Sequence, residues 1–149
     1  MNAAANLWFV DTNVLLYEID SADPTRQAGA RRWLEALWEN RAARLSWQVL
    51  NEFYSNATGK LGAPAPLART LVQTYAEWGI VEFSLTLLQR AWHWTDHAGV
   101  NYWDALILAA AERAGCRWLL SEDFQHERTY GPMQVIDPFR VEPDGFFVG

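Results

Sequence analysis

Residues 7–13 read LWFVDTN, and the rest of the chain can be arranged around this stretch. Its first four residues are apolar, too few for an independent helix, and they predict a strand buried on both faces. Asp11 follows directly, and in an open parallel sheet ligands bind beyond the carboxyl ends of the strands. The same residue also suits a second role, because aspartate is a good cap for the helix expected to begin near Val14.

The composition predicts a single globular domain over residues 1–149, since half of the residues are hydrophobic and nine are tryptophan. No apolar run approaches the roughly 18 residues of a membrane helix. Residues 1–6 have neither the basic nor the hydrophobic part of a signal peptide, so we expect no membrane association. The single cysteine, Cys116, excludes an internal disulfide and a thiolate zinc cluster, and we expect a cytoplasmic protein.

The formal net charge of −6 is opposite in sign to that of a simple nucleic-acid-binding protein. Acidic residues clustered around a divalent metal would reconcile this charge with a phosphate-containing substrate. The net charge by itself does not require a metal. Whether the chain has a metal site must be judged from the positions of its acidic residues.

Strand and helix patterns alternate along the chain. Apolar spacing and capping residues predict helices at 14–19, from Pro24 onward, at 47–58, from Leu67 to Trp78, after Ser84 and at 102–114. Further strands are expected at 43–46, 80–83, 117–120 and 133–136. This alternation predicts an α/β fold, with a parallel sheet covered by helices on both faces.

Apolar residues at helical spacing predict which helix faces lie in the core. The helix that starts at Pro24 is expected to bury Ala30, Trp33, Leu34, Leu37 and Trp38, and the helix after Ser84 to bury Leu88, Ala91, Trp92 and Thr95. Residues 105–111 are apolar on all sides, which is typical of a fully buried helix. Most of the nine tryptophans are therefore expected in the core.

Three further acidic residues are candidates for a site shared with Asp11, and one of them, Asp123, repeats its arrangement. Asp123 also follows an apolar strand and one or two polar residues, and Asp104 lies in the first turn of the buried helix. An acid in a first turn is stabilised by the helix dipole alone, by about 0.3–1 kcal/mol. Glu52 lies on the helix face opposite the apolar stripe and suits a plain surface position. The pattern alone leaves two alternatives open. The four carboxylates form one shared site, or each has a separate local role.

Four short segments resemble the PIN domain, and more narrowly the VapC-like toxins of bacterial and archaeal toxin–antitoxin pairs. They are FVDTN at 9–13, NEF at 51–53, YWDAL at 102–106 and LSED at 120–123, and the resemblance extends to IDPF at 136–139. It implies a three-layer α/β/α sandwich with a central parallel sheet. It also implies a metal-dependent endoribonuclease.

The resemblance further implies site residues. The acidic set of the family is matched by Asp11, Glu52, Asp104 and Asp123, and two supporting polar positions are matched by Asn13 and Ser121. We expect Asp11, Asp104 and Asp123 to bind Mg²⁺ or Mn²⁺, hard ions that take oxygen ligands. Glu52 would bind the metal or orient the attacking water. Many relatives carry another acid after the fourth, where this chain has FQH at 124–126, so a second metal is an open question.

The partners implied by the resemblance are an RNA substrate and a cognate antitoxin, and we also expect a homodimer. The stripe of Trp33, Leu34, Leu37 and Trp38 is broad for a short helix, and part of it would suit an amphipathic antitoxin segment. An antitoxin arginine would match the paired carboxylates and compete with the metal.

Other interpretations carry less weight. A magnesium-dependent phosphatase or phosphotransferase would want a second aspartate within residues 11–13, and a catalytically degenerate RNA- or protein-binding module of the same fold is also open. His93 and His97 have the spacing of a zinc pair, but no glutamate follows the first histidine and no third ligand is evident. His126, Arg128 and Tyr130 suit either an RNA contact or an ordinary loop. An exposed tryptophan near the cleft would stack a base, although the sequence does not identify it.

Overall fold

The computed structural model describes residues 6–147, and its six strands form one sheet in the order β3-β2-β1-β4-β6-β5. The strands are β1 (Trp8–Val10), β2 (Ala43–Ser46), β3 (Ile80–Val81), β4 (Trp118–Leu120), β5 (Thr129–Tyr130) and β6 (Met133–Ile136). All neighbours pair in parallel except β5, which is antiparallel to β6. Phe9 on β1 is in register with Leu119 on β4, so the residues that follow these two strands lie side by side.

Helices flank this sheet in a three-layer α/β/α arrangement, as predicted. They are α1 (Thr12–Ile19), α2 (Pro24–Glu39), α3 (Trp47–Thr58), α4 (Ala65–Tyr75), α5 (Leu85–Ala98) and α6 (Tyr102–Arg113), with 3₁₀ turns at Ala76–Trp78 and Pro143–Phe146. Within residues 6–147, no helix has the length and apolar character needed to cross a membrane. The predicted domain boundaries at residues 1 and 149, and residues 1–5 of the segment judged not to be a signal peptide, lie outside the described residues.

Capping residues set the helix starts where the sequence predicts them. Ser46, Ser84 and Asn101 each accept a hydrogen bond from the backbone N–H three residues on, at the starts of α3, α5 and α6. Asp23 caps α2, with Pro24 in its first turn. These side chains satisfy N–H groups that a first turn leaves without an intrahelical partner.

The strand β1 and the helix α6 form the centre of the core. All three residues of β1 are buried, and so are residues 105–111 of α6, as their uniform apolar character predicts. Four of the nine tryptophans are nevertheless exposed, so the core holds fewer of them than expected: Trp38, Trp47, Trp92 and Trp103.

Two predicted helix faces need correction. On α2, Trp33, Leu34 and Leu37 are buried, but Trp38 is 50% exposed and stacks on Trp78 with a centroid separation of 5.5 Å. Most of the stripe proposed for antitoxin docking is therefore core.

On α5 the buried residues are Leu87, Ala91 and Trp94, whereas Trp92 is 49% exposed. This face packs against α6, where Glu112 accepts hydrogen bonds from both Arg90 and Trp94.

Two strands also differ from the prediction. The strand expected at 80–83 is limited to Ile80–Val81, because β3 pairs with β2 up to Ser46, where α3 begins and the partner strand ends. One helix differs as well. It is predicted from Leu67 to Trp78, but α4 begins at Ala65 and a 3₁₀ turn follows it after Tyr75. The two-residue strand β5 is absent from the prediction, since it exists through pairing with β6 rather than through a pattern of its own.

Candidate active site

A cavity of about 410 Å³ lies beyond the carboxyl ends of β1 and β4. The four acidic residues singled out from the sequence all line it, together with Asn13: Asp11, Glu52, Asp104 and Asp123. They come from four segments that are distant in sequence, namely the end of β1, α3, the start of α6 and the loop after β4. The parallel sheet brings these segments together, because its strand ends share one edge.

Asp11 caps α1 and also lines the cavity. One carboxylate oxygen accepts a hydrogen bond from the Thr12 N–H at 2.8 Å, at the start of α1. The other oxygen accepts one from the Ser121 hydroxyl at 2.7 Å. The residue is 7% exposed, and burial raises the pKa of its carboxyl to about 7, against the opposing effect of these hydrogen bonds. The charges of Asp123 and Glu52 raise the same pKa further.

The amide of Asn13 lies between two of the carboxylates. Its Nδ2 is 3.1 Å from Asp11 Oδ2 and 3.2 Å from Asp123 Oδ2, and its Oδ1 accepts from the Glu122 N–H at 3.2 Å. That acceptor bond determines which end of the amide carries the N–H donors. A donor group thus lies where two acidic side chains approach each other, a position that would also favour a cation.

Ser121 is fully buried beneath the same pair. Its hydroxyl donates to Asp11 and accepts from the backbone N–H of Asp123 at 3.0 Å. It therefore fixes the orientation of the Asp11 carboxylate and the turn that carries Asp123.

Glu52 is not a plain surface residue. Its Oε1 accepts from the Thr12 hydroxyl at 2.8 Å, and its Oε2 from the Gln48 amide at 3.4 Å. Gln48 is buried and also donates to the Trp103 carbonyl at 3.2 Å, so it links α3 to α6. Sequence reasoning missed both Thr12 and Gln48; the spacing of four between Gln48 and Glu52 was the available signal.

Asp104 is placed by the helix cap next to it. Asn101 accepts from the Asp104 N–H at 2.9 Å and donates its own amide N–H to Asp104 Oδ2 at 3.0 Å. Partial burial raises the pKa of Asp104, and the charges of Asp123 and Glu52 add to the effect. The cap is Asn101, and the Asp104 carboxyl is influenced by the other acids of the cavity.

A fifth carboxylate in the cavity wall, that of Glu122, was missed by the sequence reasoning. Its oxygens accept from the Tyr17 hydroxyl at 2.9 Å and from Arg26 Nε at 2.6 Å, so an arginine compensates its charge. Arg26 also lies over the rings of Tyr17 and Phe139. Glu122 is therefore a paired residue, unlike the four acids beside it.

The donor set fits a hard divalent ion, because carboxylate oxygens from several segments and an amide face one cavity. In the described part of the chain, no three acidic, histidine or cysteine side chains converge closely enough to hold a metal in this conformation. The amide of Asn13 separates Asp11 from Asp123. Metal binding therefore requires these side chains to rotate towards one another.

The remaining polar groups lie elsewhere. The rings of His93 and His97 stack at 4.2 Å on α5, and within residues 6–147 no third ligand accompanies them, so a zinc site is not supported. His126 accepts from the Asp137 N–H through Nδ1, and Arg128 lies 4.6 Å from the Tyr130 ring centroid. The described lining of the acidic cavity contains neither of these two residues nor Tyr130.

Comparison with known proteins gives two matches. A family profile described as the PIN domain matches residues 8–132. The structure is similar to that of VapC20 of Mycobacterium tuberculosis, a sarcin–ricin loop cleaving toxin. The TM-score is 0.59 at 21% sequence identity, over 75% of this chain and 86% of that chain, so the similarity shows a shared fold. No curated protein sequence matches the chain significantly.

Proposed function

The chain belongs to the PIN-domain family, and we propose that it is a Mg²⁺- or Mn²⁺-dependent endoribonuclease that acts as the toxin of a toxin–antitoxin pair. The observation that carries the proposal is that Asp11, Glu52, Asp104 and Asp123 line one cavity at the sheet edge. Two of these acids have raised pKa values, with contributions from burial and from the charges of the other acids. Such perturbed groups in a cavity are typical of functional sites.

Each acid has a proposed role. Asp11, Asp104 and Asp123 would hold the ion, which when bound lowers the pKa of a coordinated water and neutralises charge on the phosphate. Ser121 and Asn13 keep the Asp11 carboxylate oriented through the hydrogen bonds described above. Glu52, fixed by Thr12, would bind the ion as well or orient the attacking water.

In the proposed reaction, water attacks the phosphorus of an RNA phosphodiester, the bond to one ribose oxygen breaks, and that oxygen takes up a proton. No covalent intermediate with a side chain is needed, because the attacking group is water. We place this activity in the cytoplasm, together with its RNA substrate.

We further propose a cognate antitoxin and a homodimer. With Trp33, Leu34 and Leu37 buried, Trp38 is the member of the predicted docking stripe that remains available to a partner. An antitoxin arginine entering the acidic cavity would pair with its carboxylates and compete with the metal. Replacing that arginine should weaken inhibition. If overexpression leaves growth unchanged and no protein encoded beside the gene co-purifies, the toxin role is wrong and the ribonuclease role survives.

Expression in cells tests the proposal as a whole. Wild type should arrest growth and fragment cellular RNA, whereas Asp11→Asn should do neither at equal protein level. Glu77→Gln, which removes a carboxylate outside the acidic cavity, is the matched control and should behave like wild type. Intact RNA with wild type, together with hydrolysis of a phosphomonoester by the purified protein, would favour the phosphatase interpretation instead.

A further inference from the structure

The acidic cavity has two ends of different chemistry along α3. Gln48, Glu52, Asn56 and Lys60 follow one another at intervals of four residues and all line the cavity. Gln48 contacts Trp103 through the backbone carbonyl, and Lys60 lies just beyond the end of α3. With a rise of about 1.5 Å per residue, the Gln48 end of the helix lies roughly 15 Å from the Lys60 end. Glu52 lies between these ends, and it accepts a hydrogen bond from Thr12, the residue after Asp11.

Trp103 forms an exposed aromatic surface at one end. Its side chain is 63% exposed although it lines a cavity, so a large apolar face is left in contact with water. The first turn of α6 and the bond from Gln48 fix its backbone. Its ring packs edge-to-face against Tyr102 at a centroid distance of 5.5 Å. The result is a flat, pre-positioned surface beside Asp104.

Lys60 provides the positive charge at the other end. It is the only lysine in the chain, it is exposed, and it forms none of the ion pairs found among residues 6–147. The other ionisable acid or base side chains in this lining, apart from Tyr17, are carboxyl groups: Asp11, Asp20, Glu52, Asp104, Glu122 and Asp123. Lys60 is thus the single cation of this described lining.

These features decide how a polyanion can be held. The net charge of −6 and the acidic lining give little general attraction for phosphates, so binding needs contacts other than charge. Stacking on an aromatic ring is such a contact, and it requires an unpaired base with a free face. We propose that the cavity takes an unpaired RNA strand lengthwise, with one base stacked on Trp103 and a backbone phosphate on Lys60. This inference rests on the proposed ribonuclease function and names the residues that bind its substrate on either side of Glu52.

RNA binding measured without cleavage tests the proposed stacking of a base on Trp103. The full chain is titrated, in EDTA, into a fluorescently end-labelled single-stranded RNA of mixed sequence, and anisotropy gives the Kd. Trp103→Ala should weaken binding by about tenfold or more, the usual effect of losing one base–aromatic stack. Trp103→Phe should restore most of the affinity, because it keeps a flat ring. Trp92→Ala is the matched control, an exposed tryptophan on α5 outside this cavity, and should leave Kd unchanged.

The salt dependence of RNA affinity tests the proposed contact between Lys60 and a backbone phosphate. Loss of one phosphate contact should reduce the slope of log K against log salt by about 0.7 for a single strand. We expect Lys60→Ala to do this, Lys60→Arg to keep the wild-type slope, and Arg113→Ala, at the far end of α6, to keep it as well. Trp103→Ala should lower affinity without changing the slope. A fully paired RNA duplex should bind less tightly than the single strand.

The outcomes separate this inference from the proposed function. With Mg²⁺, Trp103→Ala should raise KM for a single-stranded RNA more than it lowers kcat, since the residue binds substrate beside the reacting phosphate. Equal affinities of Trp103→Ala and Trp92→Ala, or undetectable binding by wild type, would overturn the inference while leaving cleavage to be judged separately. Binding that depends on Trp103, without any cleavage by wild type in Mg²⁺ or Mn²⁺, would overturn the proposed function and support the inference.

Discussion

Two cavities lie at opposite ends of the parallel strands and differ in how their charges are arranged. The acidic cavity, about 410 Å³, follows the carboxyl ends of β1 and β4. The other, about 630 Å³, adjoins the start of β2 and the 3₁₀ turn after α4; we call it the tryptophan cavity, after Trp38 and Trp78 in its lining. The tryptophan cavity is the larger, and size alone would favour it as a site.

The charges of the tryptophan cavity are of both signs. Its lining holds two arginines and two glutamates, and Arg44 donates to the backbone carbonyl of Ala43 at 2.7 Å. Trp38 and Trp78 cover each other by stacking. In the acidic cavity, by contrast, charges of one sign approach each other and raise the pKa values of Asp11 and Asp104 beyond the effect of burial. Unfavourable electrostatics that folding alone does not explain indicates function better than cavity volume does.

The largest expected difference between the cavities is in catalysis. Asp11→Asn, Asp104→Asn and Asp123→Asn should each lower RNA cleavage by roughly 10²–10³-fold, the usual cost of losing one group that stabilises transition-state charge. Glu39→Gln and Glu77→Gln, in the tryptophan cavity, should retain full activity. Initial rates on a single-stranded RNA in Mg²⁺ measure this, with circular dichroism as the control for folding. Full activity of Asp104→Asn would remove that residue from the site.

The second difference is in the pH dependence of stability without metal. The pKa of Asp11 is about 7 in the fold, against about 3.9 for an unfolded aspartate. The folded state therefore binds the proton more tightly, and this contribution is complete below the unfolded pKa and is lost as pH rises towards 7. The free energy of unfolding in EDTA should fall by roughly 4 kcal/mol from pH 4 to pH 8 through this group, since each unit of pKa shift corresponds to about 1.4 kcal/mol.

Urea unfolding at several pH values measures that loss. Asp11→Asn should flatten the decline, whereas Glu77→Gln should keep it. An unchanged decline in Asp11→Asn would show that the carboxyl is not protonated preferentially in the fold.

The third difference is in stabilisation by metal. Binding to the folded state alone stabilises it by about 1.4 kcal/mol when Mg²⁺ is at tenfold its Kd. Wild type and Glu77→Gln should show this rise in melting temperature, and Asp123→Asn should not. Without metal, Asp123→Asn should melt at or above the wild-type temperature, because a repelling charge is removed. Melting clearly below wild type would mark Asp123 as a structural residue.

The smallest expected effect concerns the tryptophan cavity itself. Trp38→Ala should leave RNA cleavage unchanged and lower the free energy of unfolding by about 0.5–1.5 kcal/mol, since the stack on Trp78 is lost. Urea unfolding and the cleavage assay measure the two quantities on one protein sample. A large loss of cleavage would mean that the two cavities are coupled and that the contrast between them is wrong.

Features that are determined by residues close together in the sequence could be predicted. The apolar run before Asp11 and the all-apolar residues 105–111 indicated β1 and α6, and both are buried. Ser84 and Asn101 marked the starts of α5 and α6 to the residue. The meeting of the acids at one edge followed from parallel strand order and the family resemblance, and their catalytic roles stay predictions.

Features that depend on distant contacts could not be predicted. The buried face of α5 depends on how this helix packs against α6, and the stripe predicted through Trp92 was wrong. Strand β5 forms through pairing with β6. Spacing alone did not reveal that Trp103 stays exposed or that Lys60 reaches the acidic cavity, because both depend on how α3 packs against other helices.

The most direct test of the central claim, metal-dependent RNA cleavage at the acidic cavity, is a reversal experiment on the purified wild-type protein. A labelled single-stranded RNA is incubated with protein in Mg²⁺, then with EDTA added, then with Mn²⁺ in excess over the EDTA, and the products are separated on a gel. We predict discrete cleavage products in Mg²⁺, none formed in EDTA and their return with Mn²⁺, with Asp11→Asn inactive throughout. Cleavage that continues equally in EDTA, or an Asp11→Asn protein as active as wild type, would contradict the account.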